Sequence, residues 1–376
     1  MKVNILKSSL LEKITVVSRI CPKKSDLSVL NFFKLEAKGE KLNIFATDLE
    51  ISYQASILAK KIEEEGEVLI PAKQFYEVLQ NFFEEDIILE KTENTILIKS
   101  KSSLSNLPGI SEEDYPLIPS FSTENYFEIE NRLFEIYLEK IYGNIKTASV
   151  IKPEFAGVYM WIDQNYVRLV TTDTIRLSEV KFKKDLVITN IQEETKVLIP
   201  ERIITEYLKI KKKPLKLRIY LEKSQITFDL DDQILLTKLL TIEYPDYQQV
   251  IPKDFNLIIY LKRDEALKIL KLNKVFTDQT KEVKLKVNTK EKSLEFYSKN
   301  ELLGESLNKT EIEIEKNEIE EPIEMSFNID FIYEGIKNID SEKVFLGINI
   351  PNEYGTKPIL LKSPLEEDFI YILMPI

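Results

Sequence analysis

The chain has 376 residues, 43% of them hydrophobic and 31% charged, with 63 Asp and Glu against 52 Lys and Arg for a net charge of −11. Hydrophobic residues this abundant, interspersed with charges of both signs, bury enough apolar surface to offset ordering entropy; wholesale disorder is excluded, and the length suggests two to four domains at roughly 100–200 residues each. The absence of histidine removes Ser/His/Asp and Cys/His hydrolases, His-ligated metals and His general bases, and the nine glycines never gather into a glycine loop for nucleotides.

What remains is carboxylate, Lys or Tyr chemistry, Asp/Glu-bound magnesium, or no catalysis at all. The opening MKVNILKSSLLEKITVV lacks the apolar core and cleavage site of a signal peptide, and no window approaches about 18 uncharged apolar residues. A soluble, cytoplasmic protein with no membrane segment is expected. The lone Cys21 has no internal disulfide partner, which suits a reducing compartment.

In chain order, Leu10, Leu11, Ile14 and Val17 come first, at the three-to-four spacing of an amphipathic helix. A β-rich run, Leu42–Ile51 (LNIFATDLEI), follows. Val68–Leu79 (VLIPAKQFYEVL) reads as a short strand entering a second helix at Pro71, since proline suits the first helical turn. Ile87 to Lys91 and Thr95 to Lys99 alternate with period two, as in an antiparallel hairpin with one wet face. The order then begins again. Leu133, Phe134, Ile136, Tyr137 and Ile141 predict a helix, and Val167–Arg176 (VRLVTTDTIR) repeats the β-rich run 125 residues on. Val197–Leu208 (VLIPERIITEYL) repeats the strand and helix 129 residues on, with Pro200 at the helix start, and Leu217 to Leu221 with Gln225 to Asp229 repeats the hairpin. A third, fainter round places Leu267, Leu270 and Phe276 on a helix, then Ser293–Leu302 (SLEFYSKNEL), then Met325–Ile336 (MSFNIDFIYEGI), 128 residues beyond its counterpart.

Two independent markers at nearly one period mean a duplicated unit of helix, strands, helix and strands. A period this long means domains, because solenoids repeat every ~20–50 residues. Boundaries fall in the Pro/Ser/acidic segment 117–125 and near Pro252, so the expected fold is α+β with three similar domains, residues 1–122, 123–251 and 252–376.

The segments Phe45–Ile51 (FATDLEI), Thr171–Leu177 (TTDTIRL), Tyr244–Pro252 (YPDYQQVIP) and the terminal Tyr371–Ile376 (YILMPI), in this order and on this threefold repeat, resemble the bacterial sliding clamp family, the beta subunit of DNA polymerase III. The resemblance spans the whole chain. It implies a DNA clamp fold in a head-to-tail homodimeric ring, with helices lining the hole and antiparallel sheets outside. Such a ring encircles double-stranded DNA independently of sequence and tethers the DNA polymerase III alpha subunit. It is a processivity factor with no catalytic residue, cofactor or metal. The resemblance further implies that the polymerase, the clamp loader and other clamp-binding-motif proteins dock in a groove between the second and third domains. Carried over, that groove is Phe155, Thr172, Thr174, Ile175, Arg176, Leu177, Pro245, Gln249, Val250, Ile372, Leu373, Met374, Pro375 and Ile376. An apolar slot with Met374 suits capture of linear motifs, because an unbranched thioether adapts to several ligands. Without the resemblance, the terminal run reads as an edge strand burying Ile372 and Met374.

Three departures bear on the groove. The family usually has Gly-His where this chain has Thr174-Ile175, an Arg is common where Gln249 sits, and many relatives extend by Arg-Leu beyond Ile376. Together they make the groove more apolar and less cationic, so a client motif richer in aliphatic anchors is expected.

Charge is distributed unevenly. Arg202 to Arg218 holds seven basic residues against Glu206 alone, and Lys262 to Lys274 holds five against Asp264 and Glu265, while Glu311 to Glu324 carries seven glutamates and one lysine. Basic helices and an acidic strand face fit a cationic bore and an anionic exterior, where phosphate attraction is sequence-independent; the plainer reading of any one lysine run is a solvated face. Lys24 matches a family position that touches DNA, and Lys73, Arg202, Lys209, Lys211 and Lys212 are the other DNA-contact candidates. Val275 and Phe276 match the family's dimer closure, facing the region of Leu104 of the other subunit, unless they belong to the core of their own domain. Cys21 reads as a buried small hydrophobe at a helix end and Trp161 as core or rim. Asp48 and Asp173 recur at one repeat position, which favours a turn role over magnesium binding. A magnesium-dependent phosphoesterase or nuclease using Asp48, Glu50 and Asp173 is the alternative of another class, and a clamp paralogue serving repair or a mobile element is the milder one.

Overall fold

The computed structural model describes residues 1–22, 25–93, 95–110, 115–152, 155–351, 355–365 and 368–376, apart from the side chains of 147 and 149–151. Among them are six α-helices, α1 Lys7–Ile20, α2 Ala72–Asn81, α3 Asn131–Ile151, α4 Glu201–Lys209, α5 Arg263–Lys274 and α6 Ile329–Lys337, set between antiparallel strands. Helices α1, α3 and α5 open three repeats, and α2, α4 and α6 each follow a strand directly, as the sequence periodicity predicts. The burial explains the periodicity. Helix α2 buries Phe75 and Leu79, α4 buries Ile203, Ile204 and Tyr207, and α6 buries Ile329, Ile332 and Ile336. Truncating one such side chain, Phe75→Ala, should cost about 3–5 kcal/mol. Pro71 and Pro200 are the N-cap residues, one position ahead of the first turn. In the third copy Asn328 takes the cap, its side chain accepting from the Asp330 amide at 3.0 Å.

The chain forms two compact units, residues 1–135, 187–192 and 199–241 in the first and 136–186, 193–198 and 242–376 in the second. In the first unit a nine-stranded sheet runs in the order Ile188–Thr189, Tyr126–Glu130, Lys216–Leu221, Gln225–Asp229, Gln233–Lys238, Ile51–Leu58, Lys41–Thr47, Phe32–Lys38 and Gly66–Pro71. Its central joint pairs Gln233↔Ala55 through Thr237↔Ile51, welding a strand of the second repeat to one of the first. A five-stranded sheet completes the unit and ends at the edge strand Leu104–Pro108.

The second unit has the same joint. There Arg176–Lys183 pairs with Phe369–Leu373 in the register Arg176↔Leu373 to Val180↔Phe369, inside another nine-stranded sheet. The C-terminal strand is therefore interior to a sheet and not at its edge: Ile372 and Leu373 are buried, while Met374 and Pro375 are half-buried and Ile376 is exposed. A four-stranded sheet ends at the edge strand Gly304–Glu311. The acidic alternation holds, with Glu311, Glu313 and Glu315 exposed and Ile312 buried between them. No helix among the described residues is long and apolar enough to cross a membrane.

Candidate functional site

The repeated Thr-Asp pairs build turns. Asp48 Oδ1 accepts from the amides of Glu50 and Ile51 at 3.0 and 2.9 Å, and Asp173 Oδ1 accepts from Ile175 and Arg176 at 3.1 and 2.9 Å. Leu49 and Thr174, the next residues, both stand at φ 74°, which the side-chain caps hold in place. In the third repeat Asn300 does the same for Leu302 and Leu303 at 2.9 and 3.2 Å. Sequence alignment placed Lys299 in that column, and the turn lies one residue later. Among the described residues no three acidic or cysteine side chains are grouped to hold a metal ion.

Every carried-over groove residue lies in the second unit, and two of them, Leu177 and Ile372, belong to one apolar cluster. Val170, Leu177, Tyr247, Phe255, Phe345, Leu360 and Ile372 form its buried base, with Tyr159, Trp161 and Tyr244 packed against it. Tyr244 stacks on Tyr159 at 4.4 Å and meets Phe155 edge-on at 6.0 Å. The Met374 amide donates to the Ile175 carbonyl at 2.9 Å, which sets the terminal run beside the Asp173 turn. Thr172 Oγ1 donates to the Arg176 carbonyl at 2.9 Å. Ile175, Val250 and Ile376 are exposed aliphatics, joined on the surface by Thr174, Pro245 and Gln249. Gln249 turns its amide back to Asp246 Oδ2 at 3.0 Å, so it fills its own hydrogen bond instead of projecting a charge. Tyr247 is buried and donates to Glu179; burial first, and that carboxylate second, push its hydroxyl pKa up. Leu177, Ile372 and Leu373 are floor, not surface.

Arg176 is 4% exposed and its guanidinium is spoken for on three sides. Nε donates to Asp173 Oδ2 at 2.8 Å, Nη1 to Glu334 Oε2 at 2.5 Å and Nη2 to the Gly143 carbonyl at 3.0 Å, with the Phe331 ring 3.9 Å beneath. Burial works against the charge, but Tyr371, Asp173 and Glu334 outweigh it and the guanidinium pKa is raised. Arg176 therefore ties the turn, α3 and α6 together. Glu334 and Gly143 were missed by sequence reasoning. A signal existed for Glu334, because Glu77, Glu206 and Glu334 occupy one column of the repeat.

The first unit holds the DNA-contact candidates, of which Lys24 lies outside the described residues. Lys73 is exposed on α2, at 4.0 Å from Glu77. Arg202 Nη2 donates to the Arg19 carbonyl at 2.7 Å, with Asp48 and Glu206 at 3.6 and 3.7 Å. Lys209 is exposed, 3.3 Å from the fully buried Glu206, which also takes Arg19 Nε at 2.6 Å. Lys212 reaches Glu12 at 2.8 Å, and exposed Lys211 makes no ion pair with any described residue. Part of the basic excess in Arg202 to Arg218 is thus neutralised locally by Glu206.

Leu104 is exposed on the edge strand of the five-stranded sheet. Val275, exposed, and Phe276, half-buried, follow α5. That helix lies against the edge strand of the four-stranded sheet, where Asn273 Nδ2 donates to the Ser306 carbonyl at 3.3 Å. Cys21 caps α1 and is buried, its thiol pKa pushed up to about 12 by burial and then by Asp48. Trp161 is half-buried under Arg168 and Lys196, at 4.5 and 4.6 Å from its ring.

Models for the N-terminal, central and C-terminal domains of the DNA polymerase III beta subunit match residues 1–119, 129–246 and 248–376. The chain is 27% identical to the beta sliding clamp of Helicobacter pylori strain J99 over 377 aligned positions, covering 98% of this chain and 95% of that protein. It is 25% identical to the clamp of Chlamydia muridarum, covering 93% of each. Among solved structures, the H. pylori beta clamp bound to a DNA ligase peptide superposes with a TM-score of 0.87 at 25% identity over the full length of both chains. The DNA polymerase III beta subunit of Pseudomonas aeruginosa does so at 0.89, again over both full lengths, and at 19% identity speaks for the fold alone.

Proposed function

Because the chain belongs to the DNA polymerase III beta subunit family, the sliding clamps, we propose that two copies close head to tail into a ring around duplex DNA and hold polymerase and other clients by their linear motifs. Its function is that of a non-catalytic clamp; the ring, its contacts and its clients are our reading. The observation that carries the ring is a pair of unused sheet edges. Each nine-stranded sheet joins the third strand after one repeat's second helix to the third strand after another repeat's first helix. The same rule leaves two strands without a mate, Leu104–Pro108 and Gly304–Glu311, ending a five- and a four-stranded sheet. Exposed edges invite pairing, and a second copy supplies each with its complement. Leu104 lies on one edge, and Val275 and Phe276 beside the other, where such closure would bury them.

In this reading the domains are 1–122, 123–251 and 252–376, the protein works in the cytoplasm, and Lys24, Lys73, Arg202, Lys209, Lys211 and Lys212 meet phosphates as α1, α2 and α4 face the duplex. Clients, including the polymerase alpha subunit and the clamp loader, take the second-unit groove. Exposed Ile175, Val250 and Ile376 favour aliphatic anchors. Small-angle scattering with in-line mass measurement tests the ring: twice 43.9 kDa with a central hole is expected, and a compact monomer sinks it. A peptide array tests the groove, where acid-containing motifs outperforming aliphatic ones would count against it.

A further inference from the structure

The sheet face of the second unit that carries this apolar cluster, with the segment bearing Pro245, has a counterpart in the first unit. Lys34 pairs with Phe45 and Phe45 with Gln54 across three strands, as Tyr159 pairs with Val170 and Val170 with Glu179, each 125 residues on. Glu36 faces Asn43 where Trp161 faces Arg168. The connecting segments correspond too, at the 129-residue offset of the second marker: Tyr115-Pro116 matches Tyr244-Pro245, and Ile118 matches Tyr247.

Over this sheet face lies a cavity of about 980 Å³, lined by Lys34, Glu36, Phe45, Gln54 and Glu67 and by the segment 115–121. Side-chain length explains why it is open. In the second unit Tyr247 reaches across to Glu179, whereas an isoleucine at 118 and a glutamine at 54 leave that span unbridged. Tyr115 anchors the segment by donating to the Phe45 carbonyl at 3.2 Å, and Phe121 packs on Tyr220 at 5.3 Å. Between these anchors Leu117 is 95% exposed, an apolar side chain at the mouth of a partly apolar cavity.

Charge separates the two sites. At the second-unit positions Arg168 and Lys196 are engaged by Asp163 and Glu194, and Glu179 is buried and accepts from Tyr247, so these three positions present no excess surface charge. Their first-unit counterparts are Asn43, Gln54 and Glu67, and Glu36 stands for Trp161 while Lys34 stands for Tyr159. Lys34 is engaged by Glu67, which leaves Glu36 as the excess charge beside the cavity.

We propose that this first-unit cavity is a second docking site, taking short linear peptides with aliphatic or aromatic anchors flanked by a basic residue. The inference rests on the groove reading for its geometry and departs from it in charge preference. The probes are two blocked pentapeptides, Lys-Leu-Phe-Leu-Lys and Glu-Leu-Phe-Leu-Glu, titrated calorimetrically into the full chain. The lysine peptide should bind at least tenfold more tightly than the glutamate one. Leu117→Ser, at an exposed side chain, and Glu36→Lys, at a half-buried one, should each weaken it at least fivefold, and Val250→Asp in the second-unit groove should leave it unaltered. Binding lost in Val250→Asp but kept in Leu117→Ser puts the peptide in the other groove and overturns the proposal, as does equal binding of the two peptides or none. The array on the second-unit groove fails or succeeds independently of these titrations.

Discussion

The two sheet joints solve one electrostatic problem with different arginines. At the second, Arg176 from the start of a strand donates to Glu334 on α6, to the Gly143 carbonyl on α3 and to Asp173 in the turn. At the first, the corresponding acceptors are Glu206 on α4, the Arg19 carbonyl on α1 and Asp48 in the turn, and two residues share them. Arg19 takes Glu206, while Arg202 takes the Arg19 carbonyl and approaches Asp48. Ile51 stands where Arg176 would be and is simply core. Gly143 is the counterpart of Arg19, and the reason for glycine there is steric, since a Cβ would sit 1.5 Å from Glu334 Oε1. Duplication kept the carboxylates and carbonyls, and the cation was supplied from whichever neighbouring element had room. The second joint is the more buried, since the Arg176 side chain is 3% exposed and that of Arg202 38%.

Breaking the second joint should therefore cost most. Asp173→Ala removes the acceptor of two backbone amides and one partner of a buried guanidinium, and urea unfolding should show a loss of about 3–5 kcal/mol. Glu206→Gln strips the first joint of its fully buried charge while keeping its shape. A loss of about 1.5–3 kcal/mol is expected, together with tighter binding to duplex DNA at low salt as Lys209 and Arg202 are released; unchanged DNA affinity would separate Glu206 from the phosphate-facing surface. Asp48→Ala leaves a half-exposed Arg202 in contact with water and should cost only about 1–2 kcal/mol, so equal effects of Asp48→Ala and Asp173→Ala would refute the burial argument. Gly143→Ala gives the smallest change. Helix propensity gains roughly 1 kcal/mol, the Glu334 carboxylate must swing off Arg176 at a cost of about 1.5–3 kcal/mol, and thermal melts should record a net loss of about 1 kcal/mol.

Much of this was legible because it is local. The repeats, the strand-to-helix starts at Pro71 and Pro200, and the turns at Asp48 and Asp173 follow from side-chain periodicity and from hydrogen bonds within four residues in sequence. The residues proposed for the groove come only from a family resemblance, and on folding they divide into surface, such as Val250 and Ile376, and buried positions, such as Leu177 and Leu373. Periodicity assigns a residue to a face but does not say what covers that face. The faint third repeat shows the limit from the other side, for Asn300 performs the aspartate's task one residue out of column, and only the hydrogen bonds reveal it.

By itself the sequence determined three α+β repeats, the clamp family they belong to, and the uneven placement of charge, since each depends on residue order over short stretches. Tertiary structure alone decided which strands weld into nine-stranded sheets and which two edges stay unpaired. It also decided that Arg176 is a buried tie, that Glu206 neutralises its basic neighbours, and that a cavity stays open over a sheet face of the first unit. Those outcomes depend on side chains more than a hundred residues apart competing for the same buried acceptors, and burial of that kind is a property of the packed chain.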